Sequence, residues 1–300
     1  MPNDSISVFA PAKVNLFLGV HPEKDDRGYH RVDSVMVPLG LADVVTVTPS
    51  GATSVTCVPD AGCPAENNTC WKAVHALTEA VGTSTAFSVR VERSVPNQAG
   101  LGGASSDAAA AIVGVCALSG IDPHDPRVAE AARKVGADVP FFLVGGACFL
   151  DGAGDVARES LPTPTLADGS PVPVALVRPS GDGVPTPAAY ADFDGDPVEV
   201  APVEPMLEAL RSGDADAVVA NVANNLGPVA RRMLPKVDEV LTWLRSSEGV
   251  RTAEVSGSGS CCFAICDSGV AAASVADAAR GRGWWSCATH LAREGATLLD

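Results

Sequence analysis

Positive charge is scarce in this chain. Lys and Arg number 21 against 36 Asp and Glu, a formal net charge of −15. A nucleic-acid face needs clustered cations to neutralise phosphates, so the balance argues against that function. Any anionic ligand must be held by local features against an unfavourable overall field. Long apolar runs are missing too. The most apolar stretch, VPFFLVGGACFL, is too short and too glycine-rich to span a bilayer. The opening MPNDSISVFAPAK has no basic segment followed by an apolar one, so no secretory leader is expected. The expectation is a soluble, cytoplasmic protein. The nine cysteines contain no C-x-x-C, and Cys57, Cys63 and Cys70 are spaced too widely for a zinc knuckle. Reduced thiols, several of them core filler, are expected instead.

What is present is apolar bulk. Hydrophobic residues make up 46% of 300, and charged residues 19%. That describes a globular chain with a large core, as one large domain or two of ordinary size.

The periodicities mix strands and helices. Ser5 to Val20 reads as extended, broken at Pro11. DVVTVT (43–48) alternates, as does AFSVRVE (86–92), with Phe87, Val89 and Val91 on one face. Between them NTCWKAVHALTEAVG reads as a helix with Trp71, Val74, His75 and Leu77 on one face and a stop at Gly82. A second helix is predicted from Ser105–Asp107 to Leu118, ended by Gly120. A third is predicted from Asp125-Pro126 to Lys134, stopped by Gly136. Asp138 then falls between a helix stop and an apolar strand.

LPTPTLADGSPVP changes the texture and marks a domain boundary near 160, giving domains 1–160 and 161–300. Beyond it are predicted a strand (VALVRPS), a loop (GDGVPTPAAYADFDGDP) and helices near 203–211, 214–222 and 228–246. A strand–loop–strand, AEVSGSGSCCFAICD, and a last helix near 268–281 complete the chain. Irregular alternation of strands and helices in both halves implies the α+β class.

The most pointed segment is NQAGLGGASSDAAAA (97–111). A glycine-rich turn feeding a helix N-terminus leaves backbone N–H groups free at the positive end of the helix dipole, which is an anion site. Ser105 and Ser106 add hydroxyls that can bond a phosphate oxygen. No Lys follows the glycines, so this is not a Walker A loop, and it is not G-x-G-x-x-G. Alone, it reads equally as a capped helix after a flexible turn. A second cluster, Ser256-Gly257-Ser258-Gly259-Ser260, is a hairpin turn taken by itself. Two such loops, one in each half, suggest one cleft lined by both.

Lys13, in PAKVNLFLGV, is either an edge lysine or a cation for a phosphoryl group. Asp138, in GADVPFFL, is either a cap or a carboxylate that orients a hydroxyl proton. Asp33, Asp43, Asp151 and Asp155 read as turn or surface residues. His21, His75, His124 and His290 read as structural.

Pro11-Ala12-Lys13-Val14-Asn15-Leu16, the loop Gly100 to Asp107, and Ser256-Gly257-Ser258-Gly259 together resemble the galactokinase–homoserine kinase–mevalonate kinase–phosphomevalonate kinase (GHMP) superfamily. Their order and spacing match over nearly the whole chain. Within it, Gly28-Tyr29-His30, Gly136-Ala137-Asp138-Val139-Pro140 and Thr186-Pro187-Ala188-Ala189-Tyr190 resemble the branch whose acceptor is a cytidine diphosphate sugar alcohol.

The resemblance implies a two-domain fold with the active site between the domains. It implies transfer of the γ-phosphoryl group of ATP, with Mg²⁺, to the 2-hydroxyl of a methylerythritol moiety on the non-mevalonate route to isoprenoid precursors. It makes Lys13 and Asp138 the catalytic pair. It gives ATP to Pro96, Asn97, Gln98, Ala99, Gly100, Leu101, Gly102, Gly103, Ala104, Ser105 and Ser106. It gives the acceptor to Asn15, Tyr29, His30 and Tyr190, with the two tyrosines sandwiching the cytosine, and it closes the site with Gly257, Ser258 and Gly259. The partners implied are small molecules only, without nucleic acid or membrane, in a monomer or weak homodimer. A homoserine- or mevalonate-type kinase, and a silent nucleotide binder of the same fold, are the competing expectations. Gly-Tyr-His and Tyr190 speak against the first, and the retained Lys13 and Asp138 against the second.

Overall fold

The computed structural model describes residues 5–181 and 183–299. Two long antiparallel strands, β1 (Ile6–Lys24) and β2 (His30–Ser50), form its spine. Pro11 does not break β1. It stands at a register shift between Pro11 and Lys13, the kind of bulge that re-aims a side chain. Every residue from Ala10 to Val20 is buried. Val8 and Ala10 pack among helices on one side, while Ala12, Val14 and Leu16 pack against the second half of the chain. A strand covered on both faces reads as a continuous apolar run, which is how Lys13 comes to lie in one.

β3 (Ser54–Val58) and β4 (Ala86–Glu92) pair in parallel, with α1 (Thr69–Val81) as their crossover. The Asn68 side chain accepts the Cys70 N–H and caps α1. Its buried face is Cys70, Ala73, Val74 and Leu77. Trp71 and His75 lie off that face, contrary to expectation, and stack on each other with ring centroids 3.5 Å apart.

Next come α2 (Gly103–Ser119), α3 (Pro126–Val135), α4 (Val139–Val144), β5 (Ala147–Asp151) and β6 (Val156–Leu161). Helix α2 starts two residues before the predicted point, so Asp107 sits inside it. Its residues Ala108–Ile112 are fully buried, as befits a helix enclosed by sheet and helices. The expected apolar strand after Asp138 is helix α4 instead. Four to six apolar residues carry no period that separates a strand from a buried helix.

The second half contains β7 (Pro173–Arg178), α5 (Thr186–Gly195), α6 (Glu204–Ser212), α7 (Ala215–Ala220) and β8 (Ala223–Asn224). It continues with α8 (Gly227–Met233), α9 (Pro235–Arg245), β9 (Val250–Val255) and β10 (Cys262–Cys266). α10 (Gly269–Gly281), β11 (Trp285–His290) and β12 (Thr297–Leu298) close it. The predicted loop over 181–197 holds α5. The single helix predicted over 228–246 is two, because Leu234 leaves the helical region before Pro235.

The first sheet runs β12-β1-β2-β4-β3, with β5 on β2, β6 on β5 and β8 on β1. The second is the antiparallel sheet β11-β7-β10-β9. The change of sheet falls between Leu161 and Pro173, while β8 and β12 return to β1. This is an α+β molecule of two lobes, with an apolar core shared between them through Leu16, Leu176, Met206 and Phe263. All nine cysteines are unpaired, and six are buried. No helix among the described residues is long and apolar enough to cross a membrane.

Two acids expected at the surface are buried strand residues. Asp33 is 7% exposed and pairs with His21 at 2.6 Å. Asp43 is 1% exposed. Asp151 and Asp155 lie near the surface and pair with Arg158 and Arg27.

Candidate active site

Between the lobes lies a cleft of about 320 Å³. β1 contributes Lys13 and Asn15 to its lining, and the β4–α2 loop with the first turn of α2 contributes Pro96 to Ser105. Asp138 comes from the start of α4, Tyr190 from α5, and Gly257 and Ser258 from the β9–β10 loop. Residues more than two hundred positions apart thus meet at one place.

The glycine loop is shaped by contacts that only glycine permits. Gly100 has φ +74°, and a Cβ there would stand 1.9 Å from the Ser256 carbonyl oxygen. Gly102 has φ +73°, and a Cβ would press on Phe142 at 2.8 Å and on the Lys13 stem at 3.0 Å. Both backbones therefore approach their neighbours without a side chain between them. No side chain caps α2. In its first turn the Ser105 and Ser106 N–H groups donate to the Gly102 carbonyl, while those of Gly103 and Ala104 are available at the positive end of the dipole. Gly103 and Ala104, in that turn, line the cleft.

The second loop locks onto the first. Ser256 Oγ donates to the Gly100 carbonyl at 2.9 Å, and the Cys261 N–H donates to the Ala99 carbonyl at 3.1 Å. Asn224 holds it from behind: its amide donates to the Val255 and Gly257 carbonyls, both at 2.8 Å, and its oxygen accepts the Leu226 N–H. Ser258 and Thr186 share a hydroxyl hydrogen bond at 3.0 Å, which ties this loop to α5.

Lys13 is 4% exposed, and its Nζ donates to Asn15 Oδ1 at 2.6 Å. Asn15 Nδ2 in turn donates to Ser34 Oγ at 2.9 Å. Burial holds the Lys13 ammonium below the ordinary lysine range, and the negative charge of Asp138 opposes that shift. Asp138 stands at the N-terminus of α4 yet makes no capping hydrogen bond, so its carboxylate is free for other work. Burial, then the charge of Asp138, pushes the Tyr190 hydroxyl up to about 12.

The predicted residues do not all share the lining. Ser106 is fully buried beneath the loop. Gly259 lies against Ala230 and Val255. His30 packs behind Tyr190, ring centroids 5.5 Å apart, and edge-on to Phe193. Its Nδ1 is 2.7 Å from the His21 carbonyl, and its Nε2 is 3.1 Å from Asp194. Tyr29 is 60% exposed, with the Arg27 guanidinium 5.4 Å from its ring centre. Sequence reasoning gave no role to Ser34, Arg93, Thr186 or Asn224. Arg93 lines the cleft beside the glycine loop and is its second cation. The one legible signal was Asn224-Asn225, a polar pair inside the apolar run VVANVANNL.

The fold and the paired glycine loops define a class. Residues 68–146 match the model "GHMP kinases N terminal domain", and residues 206–283 match "GHMP kinases C terminal". A 4-diphosphocytidyl-2-C-methyl-D-erythritol kinase from Desulfitobacterium hafniense is 31% identical, over 98% of this chain and 99% of its own. One from Rhodopseudomonas palustris is 36% identical, over 94% and 96%. The crystal structure of a 4-(cytidine 5'-diphospho)-2C-methyl-D-erythritol kinase superposes with a TM-score of 0.74 at 32% identity, covering 95% of this chain and all of that one. Homoserine kinase from Cytophaga hutchinsonii superposes at 0.77 with 20% identity, a likeness of fold. The chain belongs to the 4-diphosphocytidyl-2-C-methyl-D-erythritol kinase family of GHMP kinases.

Proposed function

We propose that this protein phosphorylates the 2-hydroxyl of 4-diphosphocytidyl-2-C-methyl-D-erythritol with ATP, giving the 2-phosphate and ADP on a route to isoprenoid precursors. The observation that carries the assignment is the meeting of Lys13, Asp138, the glycine loop and Tyr190 in one cleft. The loop from Pro96 to Ser106 holds the triphosphate through backbone N–H groups and the α2 dipole. Asp138 orients the acceptor hydroxyl and takes its proton as the oxygen bonds to the γ-phosphorus. The bond from that phosphorus to the β–γ bridging oxygen breaks, and the bridging oxygen leaves with ADP. Lys13, steered by Asn15, offsets charge between hydroxyl and phosphoryl group. Positioning and electrostatics of this kind supply most of the rate in phosphoryl transfer.

Among the described residues no group of three or more His, Cys, Asp or Glu could hold a metal. The cleft does offer Asp138, a hard oxygen donor of the type Mg²⁺ takes. Mg²⁺ would therefore be an ion carried in with the nucleotide beside Asp138, where it would supply charge neutralisation for the triphosphate. Tyr29 and Tyr190 take the two faces of the cytosine, which requires Tyr29 to fold in from solvent over the base. His30 reaches the cytosine edge only by giving up its Nε2 contact with Asp194. Residues 1–160 form the nucleotide-holding domain and residues 161–300 the second domain, in a cytoplasmic monomer or weak homodimer.

The test is ATP consumption with Mg²⁺ and one acceptor at a time: diphosphocytidyl-methylerythritol, homoserine, mevalonate and phosphomevalonate. Turnover is expected with the cytidine compound alone, and Asp138→Asn is expected to retain ATP binding while losing most turnover. Turnover with another acceptor overturns the substrate assignment. Full activity in the Asn variant overturns the role of Asp138.

A further inference from the structure

Beneath the glycine loop lies a buried pair of acids with no part in the chemistry above. We infer that Asp43 and Asp107 share one proton and, through it, tie the start of the ATP loop to helix α2, which makes them positioning residues for the nucleotide. The inference rests on the assignment of the 96–106 loop to ATP.

Asp43 comes from β2 and is 1% exposed; Asp107 comes from the second turn of α2 and is 6% exposed. Asp43 Oδ1 accepts two backbone hydrogen bonds, from the Ser94 and Val95 N–H groups, just before Pro96 opens the loop. Its Oδ2 and Asp107 Oδ1 have no hydrogen-bond donor, though both are buried. Carboxylate oxygens only accept, so two ionised acids would leave both oxygens bare and repelling. One proton on Asp107, donated to Asp43, satisfies the two acids together. Asp43 is the member that stays ionised, because it already holds two N–H donors. Asp107 is the member that keeps the proton: burial, then the charge of Asp43, raises its pKa well above the ordinary aspartate value.

The groups around the pair agree with that state. Arg93 faces both acids and favours the single remaining charge. Cys57 on β3 and Cys70 on α1 face Asp107, and burial pushes both thiols up, so they stay neutral. The consequence is mechanical. The second turn of α2 and the residues that launch the loop are joined by one hydrogen bond, and the phosphate-facing N–H groups lie between those two anchor points.

Carbon-13 NMR of the aspartate carboxyls in the wild-type protein, followed from mildly acidic to mildly alkaline pH, reads the proton directly. One carboxyl of the pair is expected to stay protonated at neutral pH; ionisation of both there overturns the inference. ATP and acceptor affinities by calorimetry read the positioning. Asp107→Asn, whose amide donates permanently, is expected to keep ATP affinity. Asp107→Leu, without donor or acceptor, is expected to weaken ATP about tenfold, the worth of one hydrogen bond, and to leave acceptor affinity unchanged. A leucine variant that binds ATP normally, or loses both ligands alike, overturns the role. Should it not fold, Asp43→Asn decides, since it keeps an acceptor for Ser94 and Val95 and a donor toward Asp107; loss of ATP affinity there overturns the inference. Absent turnover with the cytidine acceptor, beside ATP binding that follows the pair, removes the functional assignment and leaves the pair standing.

Discussion

Lys13 is a cation kept in a place that disfavours charge. Burial lowers its pKa, and what opposes that is the charge of Asp138 together with the hydrogen bond to Asn15. A lysine is charged below its pKa, so a lowered value brings the alkaline limb of kcat to a lower pH than an ordinary lysine gives. Asn15→Leu removes the hydrogen-bond acceptor, a contact to a charged group worth about 1.5–3 kcal/mol. The limb is then expected to move further toward neutral pH; a pH–rate profile superposable on wild type would contradict the Lys13–Asn15 coupling. At this scale much was legible. PAKVN and GADVP made Lys13 and Asp138 candidates, but the residues alone left each open between a structural and a chemical reading, and only the resemblance to the GHMP kinases chose between them. Asp43 was not legible, because an acid opening the alternating run DVVTVT looks like a turn residue until the partner that buries it is known.

Elements set the shape of the cleft, and one side chain holds the second glycine loop in register. Asn224 donates two hydrogen bonds to that loop and the end of β9, and a third, accepted from the Leu226 N–H, fixes its own side chain. Asn224→Ala leaves buried carbonyls without donors, which costs about 1–3 kcal/mol for each. The loop loses its grip on the first glycine loop at Gly100, so kcat is expected to fall while CD-detected secondary structure persists. Wild-type kcat in this variant would show that the loop holds itself. The acid pair makes a separate prediction for stability. The folded chain holds a proton on Asp107 that the unfolded chain releases near the ordinary value of 3.8. Native protein binding the extra proton means that stability falls as pH rises above that value, by about 1.4 kcal/mol per pH unit until the folded pKa is reached. Denaturant melts should show a slope difference of this sign between wild type and Asp107→Asn; parallel stabilities would speak against a retained proton. Helices with caps and long periods, such as α1, α3 and α10, were legible. Length alone did not decide, since α6 and α7 are short and were read. α4 was missed because its apolar run has no period, α5 because it sits in a stretch rich in Pro, Gly and Asp, and α9 separates from α8 only through Pro235.

For the whole molecule, alternation of strands and helices gave the α+β class, yet it did not show that β8 and β12 return to the first sheet. Such pairings join residues far apart in sequence, and two-residue strands have no period to detect. Net charge acts at this scale too. With 36 acids against 21 bases, the surface repels an incoming nucleotide triphosphate at long range. Lys13 and the loop N–H groups attract it only within the cleft, where burial limits screening. Added salt shortens the Debye length to about 8–10 Å near physiological ionic strength. It thereby weakens the distant repulsion more than the local attraction. The association rate of ATP, measured by stopped flow, is therefore expected to rise with monovalent salt from low to physiological concentration, the reverse of a nucleotide site set in a basic face. A rate that falls over this range would mean that local cations, Arg93 in the cleft lining among them, govern encounter and that the acidic surface is turned away from the path of entry.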